Sequence, residues 1–173
     1  LDYFSQSDTL VINQNGLTDS LKPEITQGVT MNEQFHNLPM EKQQRILNAS
    51  MEVFAMNDYR HASTDDIAAK AGISKGLLFY YFHNKKELYL FLWNKCAETT
   101  IEYLQQYHCY EQKDLFESMY LGMKAKMEIM NLYPHVGAFV LKAFYERDPQ
   151  VCSDIQASYR KYFNFKADRT LVN

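Results

Sequence analysis

Glycine and proline are scarce in this chain, at six and four of 173 residues. Few segments alternate strictly with period two, so a fold built from strands and tight turns is disfavoured and an all-helical one expected. Cysteine is limited to Cys96, Cys109 and Cys152, an odd number at wide spacings with no C-x-x-C. That disfavours a disulfide framework and predicts reduced thiols. No apolar run approaches the roughly 20 residues of a membrane-spanning helix. No charged start leads into an apolar block, so no secretion signal is read and the expected location is the cytoplasm. Positive charge is not in excess either, since the formal net charge is −3. Bulk charge therefore carries no nucleic-acid signal.

Its distribution is more informative. Before Phe35 a single base, Lys22, faces Asp2, Asp8, Asp19, Glu24 and Glu33. Between Phe35 and Leu88, Lys42, Arg45, Arg60, Lys70, Lys75, Lys85 and Lys86 face Glu41, Glu52, Asp58, Asp65, Asp66 and Glu87. Several of these lysines stand at expected helix starts. Aromatic residues are plentiful, with 13 tyrosines and 11 phenylalanines. A chain of this length can bury one substantial core or two small linked ones.

Residues 1–34 read as a leader of uncertain order. They mix Ser, Thr, Asn, Gln and Asp with one apolar patch, Leu10-Val11-Ile12, and an Asn15-Gly16 turn signal. The patch forms a strand only if something pairs with it, and Met31 reads as a natural start. Helical spacing then begins after Pro39, with Ile46, Ala49, Val53 and Phe54 on one face and an end near Asn57-Asp58. Ser63 or Thr64 caps a second helix, whose first turn holds Asp65 and Asp66 and whose apolar edge is Ile67, Ala68 and Ala71. Gly72 supplies the turn. Ser74 caps a third helix, from Lys75 to about Tyr81. Asn84, with Glu87 three residues on, caps a long fourth helix that reaches about Gln106.

Further helices are expected from Asp114 to about Leu132 and, after the break at Pro134, from His135 to Glu146. A last one starts at Asp148-Pro149 and carries Val151, Ile155, Tyr159, Tyr162 and Phe163. The domain reading is a 1–34 leader, a 35–84 head and an 85–173 body. The head and body are joined through the long fourth helix.

Helix, glycine turn and helix within about twenty residues form the layout of a helix-turn-helix module for duplex DNA. An α-helix fits the major groove and its outward side chains reach base edges. In the third helix Leu78 and Phe82 are expected inward and Phe79 partly buried. Lys75, Gly76, Leu77, Tyr80 and Tyr81 are expected outward. Gly76 allows close approach to DNA. The helix starts at Thr64 and Lys85 present unpaired N–H groups and a positive dipole end to phosphates. Taken singly, Ser74-Lys75-Gly76 is an ordinary turn, a tyrosine pair is more often half-buried core, and Lys85-Lys86 is usually a solvated face. Their order and spacing carry the DNA reading.

The segment from Arg45 to Leu88 closely resembles the TetR family of bacterial transcriptional regulators. The likeness rests on Arg45-Ile46-Leu47, Phe54, Thr64-x-x-Ile67-Ala68-x-x-Ala71-Gly72-Ile73-Ser74-Lys75-Gly76, Tyr81-Phe82, and Asn84-Lys85 before Leu88. It implies a three-helix DNA-binding head, a helical ligand-binding and dimerisation body, and a homodimer on a palindromic double-stranded DNA operator. It implies repression released by a small-molecule effector; no cofactor is expected. It also places Thr64, Lys75, Tyr80, Tyr81 and Lys85 at positions used for DNA, mainly phosphates, with Gly76 and Leu77 near bases. Phe79 stands where the family has tyrosine, so that hydroxyl is missing. Measured against the family, the body is expected to be shortened at its C-terminal end.

In the body, Trp93, Tyr103, Tyr107, Phe116, Met119, Tyr120, Met123, Met127, Phe139, Phe144 and Tyr145 could line an apolar, adaptable effector cavity. Residue by residue, ordinary core is the favoured alternative. His135 is a candidate polar contact, although a histidine at a helix start is more often merely exposed. An enzyme is the first competing reading. His108-Cys109 lacks any surrounding catalytic signature, and Cys96, His108, Cys109 and Cys152 lack metal-ligand spacing. The second is a helical scaffold that binds protein through its head.

Overall fold

The computed structural model describes residues 33–170, and side chains through Tyr162. Leader residues 1–32, the Leu10–Ile12 patch among them, and the Phe163 side chain lie outside what is described. Within them the fold is all-helical, with eight helices and no strand.

The first helix, α1 (Glu33–His36), is a single turn that the sequence pattern did not announce. Its Phe35 is buried, with ring centroids 4.8 Å from Phe82, 5.7 Å from Phe91 and 5.9 Å from Tyr81. The amide of Gln43 binds the link to the next helix by donating to the carbonyls of His36 and Leu38 at 3.0 and 2.8 Å. Pro39 precedes α2 (Met40–Met56) as its N-cap, and α2 buries Ile46, Leu47, Ala49, Val53 and Phe54 at the expected period.

Short polar side chains set the starts of the next four helices as the sequence predicts. Ser63 accepts from the N–H of Asp66 at 3.3 Å and opens α3 (Thr64–Ala71). Ser74 accepts from Leu77 at 3.1 Å and opens α4 (Lys75–Phe82). Asn84 accepts from Glu87 at 2.9 Å and opens α5 (Lys85–Gln106). Asp114 accepts from Phe116 and Glu117 at 2.7 and 3.2 Å and opens α6 (Leu115–Leu132). Each cap satisfies N–H groups that the helix itself cannot pair. Between α3 and α4, Gly72 sits at φ +64° while Gly72 and Ile73 donate to Ala69 and Ala68 at 3.1 and 3.0 Å. This pairing closes the helix end and demands a left-handed residue.

Helix α5 is the spine, about 33 Å long at 1.5 Å per residue. Its Leu88, Tyr89, Leu92, Trp93 and Cys96 are buried. The Tyr89 ring lies 4.8 Å from Phe54 on α2 and 5.4 Å from Phe139 on α7 (Val136–Phe144). One apolar cluster therefore runs from Phe35 to Ile155 through head and body elements alike. Each fully buried aliphatic or aromatic side chain in it contributes about 1.5–3 kcal/mol.

The final helix, α8 (Cys152–Thr170), begins later than Asp148-Pro149 had suggested. Asp148 does open the turn, its carboxylate accepting from Gln150 at 2.9 Å and its carbonyl from Val151 and Cys152 at 3.1 and 2.9 Å. Residues 149–151 form turns before regular helix is established. Among the described residues no helix is long and apolar enough to cross a membrane.

Candidate nucleic-acid interface

Helices α3 and α4 meet across the Gly72 turn, with Ile67, Ala68 and Ala71 of the first packed in the core beside Leu78 of the second. The small residues on α3 permit this close approach. Arg45 secures the back of the turn, its Nε donating to the carbonyl of Ala71 at 2.9 Å. A guanidinium suits the negative end of α3. Beside it, Lys70 pairs with Glu52 of α2 at 2.6 Å, and the lysine's hydrogen bond holds that carboxyl below the ordinary range.

The outward edge of α4 presents Lys75, Gly76 and Tyr80, with Tyr80 53% exposed. Leu77 is half-buried at the rim, as is Thr64 at the start of α3. Nothing lies within ordinary contact of a Cβ at Gly76 except the Ser74 hydroxyl at 4.0 Å, so that stretch of backbone is open. Lys75 reaches back across the turn to Asp65, 2.7 Å away, in an exposed ion pair.

Tyr81 departs from the expected outward placement. Only 4% of it is exposed, and its ring meets Phe35 edge-on. Leu78, Tyr81 and Phe82 lie at i, i+3 and i+4, so they share one helix face. The unanticipated α1 supplies the aromatic partner that draws Tyr81 inward. Phe79 is half-buried, as expected.

Lys85 also differs from a free surface lysine. Its Nζ donates to the carbonyls of Arg60 and Ala62 at 3.1 and 3.0 Å and lies 4.9 Å from the centre of the Tyr59 ring. An ammonium has three donors, so two carbonyls leave one N–H to turn outward. Lys86 instead pairs with Asp154 of α8 at 2.8 Å. Tyr59 went unnoticed in the sequence because its partners lie far along the chain. Its ring is buried, and its N–H donates to Glu146, 87 residues away, at 2.7 Å.

The body residues nominated for an effector cavity do not gather around one. Trp93 and Phe139 are buried core, the indole of Trp93 donating to Ser158 at 3.1 Å. Tyr103 and Phe144 pack against the same core, and Tyr107 donates to Glu128. Met119, Tyr120, Met123 and Met127 lie on the outer face of α6 with Leu115 and Phe116, all at least half exposed, and Tyr145 is exposed on the α7–α8 connection. The inner face of α6 is the one that buries Ala125 and Ile129. A methionine stripe has the same spacing whichever way it faces, so the sequence could not separate these cases. A groove of about 610 Å³ lies instead beside α2, lined by Glu41, Gln44, Arg45, Asn48, Lys70 and His135 among others. Among the described residues, no three His, Cys, Asp or Glu side chains gather as a metal site. His108 occupies a left-handed backbone position, and Cys109 beside it is buried with its thiol pushed up by burial.

A glycine-turned helix pair with an open edge, braced from behind by α2 and α5, defines a helix-turn-helix DNA-binding head. Residues 46–91 match the family described as "Bacterial regulatory proteins, tetR family", so the head of this chain is similar to the DNA-binding head of that family. The chain is 35% identical over 66 residues to the HTH-type transcriptional activator FasR of Mycolicibacterium smegmatis, a match covering 38% of this chain and 30% of that protein. It is 31% identical over 65 residues to the fatty acid metabolism regulator protein of Bacillus subtilis, covering 38% of this chain and 34% of the relative. The crystal structure of a TetR family transcriptional regulator from Chloroflexus aurantiacus superposes with a TM-score of 0.57 at 28% identity, covering 82% of this chain and 66% of that one. The curated matches thus span about a third of each relative's length, and all three proteins are named as regulators rather than enzymes.

Proposed function

We propose that this protein is a transcriptional regulator whose α3–α4 head docks in the major groove of duplex DNA. The carrying observation is the open edge of α4, where Lys75, Gly76 and Tyr80 face solvent while Leu78, Tyr81 and Phe82 anchor the helix from behind. In this reading Gly76, Leu77 and Tyr80 approach bases, while Thr64, Lys75 and the remaining N–H of Lys85 engage phosphates. Tyr81 supports the helix from within and touches no DNA.

The chain acts in the cytoplasm as a homodimer on a palindromic operator, its two heads entering major grooves about 34 Å apart or a multiple of it. A small, largely apolar effector releases it from DNA by preferring the DNA-incompetent arrangement. Regulation by repression is the default for this architecture, although one relative is named an activator. The relative named for fatty acid metabolism makes fatty acyl compounds the first effector class to test. The exposed apolar face of α6 favours a protein partner for the body, which agrees with assembly into a dimer.

Affinity for a duplex of random sequence, measured against salt concentration, tests the reading. Phosphate contacts give a steep linear loss of log affinity with log salt. A flat line contradicts the DNA role and leaves a protein-binding scaffold in its place.

A further inference from the structure

A carboxylate of the α7–α8 connection, that of Glu146, bonds directly to the head backbone. Glu146 accepts three backbone N–H groups, from Tyr59 at 2.7 Å, from Arg147 at 2.8 Å and from Asp148 at 3.0 Å. Two of those donors belong to its own connection, so the carboxylate is fixed before it meets the head. The third donor, Tyr59, lies in the loop between α2 and α3. The Tyr59 hydroxyl points the same way, 3.4 Å from the amide oxygen of Gln150, and its ring packs edge-on to Tyr89 at 5.1 Å.

Tyr59 is also the floor on which Lys85 rests. The lysine Nζ lies 4.9 Å from the Tyr59 ring centre and donates to the next carbonyls of the same loop, those of Arg60 and Ala62. That loop runs directly into Ser63, the cap of α3, and Thr64. One backbone segment, residues 59–64, therefore sets the direction of the Lys85 ammonium and the start of α3 together. Glu146 ties the backbone of this segment to the α7–α8 connection. Lys142 of α7 adds a nearby contact, 3.4 Å from the carbonyl of Ala55 at the end of α2.

We propose that Glu146 is a positioning residue for DNA binding: through Tyr59 it holds the 59–64 loop so that the Lys85 ammonium and the start of α3 face one phosphate backbone together. This rests on the DNA-binding reading above and adds to it a body residue that touches no DNA. Any shift of the α7–α8 connection draws on the Tyr59 N–H, so the same contact carries a change in the body to the phosphate-facing side of the head.

The test uses the full chain and a 20-base-pair duplex of random sequence, with binding followed by fluorescence anisotropy across a salt series. The wild-type protein should show steep salt dependence. Glu146→Ala should weaken binding several-fold and lower the salt slope by roughly 1, as should Lys85→Ala. The double variant should lose clearly less than the sum of the two single losses, because both changes remove the Lys85 contact. Glu146→Gln keeps one acceptor oxygen, which serves the Tyr59 N–H only with its NH2 turned to the Arg147 and Asp148 N–H groups, so it should recover part of the affinity lost in Glu146→Ala. Should Glu146→Ala fail to fold, Glu146→Asp keeps the charge, shortens its reach and should show the same slope change in smaller measure. Wild-type slope in folded Glu146→Ala or Glu146→Asp, or losses that add fully in the double variant, would overturn the proposal. A flat wild-type salt series would instead overturn the DNA reading itself.

Discussion

Lys75 at the first turn of α4 and Asp65 at the first turn of α3 are joined by a 2.7 Å ion pair across the glycine turn. Both side chains are well exposed, so the pair contributes only about 0–1 kcal/mol to stability. Its more consequential effect is on binding. In the proposed DNA-bound state Lys75 exchanges Asp65 for a phosphate, and the Asp65 carboxylate remains at the edge of a polyanion.

Asp65→Asn should therefore raise affinity for duplex DNA a few-fold while changing the melting temperature little. Anisotropy titration and thermal unfolding measure the two effects separately. Weaker binding by a well-folded Asp65→Asn protein would show that the carboxylate orients Lys75 usefully instead of withholding it.

The two adjacent tyrosines of α4 should respond oppositely to truncation. Tyr80→Ala should leave stability within about 0.5 kcal/mol of wild type and alter the preference among operator sequences. Tyr81→Ala should remove a buried ring from beside Phe35 and cost about 3 kcal/mol. Chemical denaturation paired with selection of bound duplexes distinguishes the two. The assignment fails if Tyr80 proves to be the destabilising site.

Glu98 on α5 should make stability pH-dependent in an uncommon direction. Burial pushes its carboxyl above the ordinary range, with Lys95 opposing and Glu102 adding to the effect. A raised folded-state value means that the native protein favours the protonated form. The penalty is absent below the unfolded value and grows as pH rises through the folded one. Glu98→Gln should accordingly stabilise the protein at neutral pH and make little difference near pH 3. Unfolding curves at both pH values check this, and equal effects at the two would contradict it.

Thiol labelling should follow burial. Cys96 is enclosed on α5 and its thiol is pushed up to about 12 by desolvation, whereas Cys152 is only half-buried at the start of α8. The thiolate is the reactive form, so a maleimide should modify Cys152 first in the native protein. Cys96 and Cys109 should react at rates set by unfolding. Mass mapping of the labelled peptides reads the order.

Much of the fold was legible because its signals are local. The caps Ser63, Ser74, Asn84 and Asp114 need only a short polar side chain two or three residues ahead of an N–H, and all four are in place. Gly72 was similarly readable from the conformation that its turn demands. Within α4 this logic failed for Tyr81, because almost every side chain from Leu77 to Phe82 is apolar or aromatic and the pattern offers no polar face. Its neighbour across space, Phe35, sits on a one-turn helix too short to show a period. The outer stripe of α6 was ambiguous for another reason. Spacing puts Met119, Met123 and Met127 on one side, and only tertiary packing decides which side meets α5. Glu146 and Tyr59 carried no local sign of their pairing across 87 residues.

The most direct measurement of the central claim is amide chemical-shift mapping of the isotope-labelled chain as duplex DNA is added. Docking through the exposed edge of α4 predicts the largest changes at Thr64, Lys75, Gly76, Leu77, Tyr80 and Lys85, with α6 from Leu115 to Met130 nearly unmoved. Changes concentrated on the α6 face, with α4 silent, would contradict the assignment.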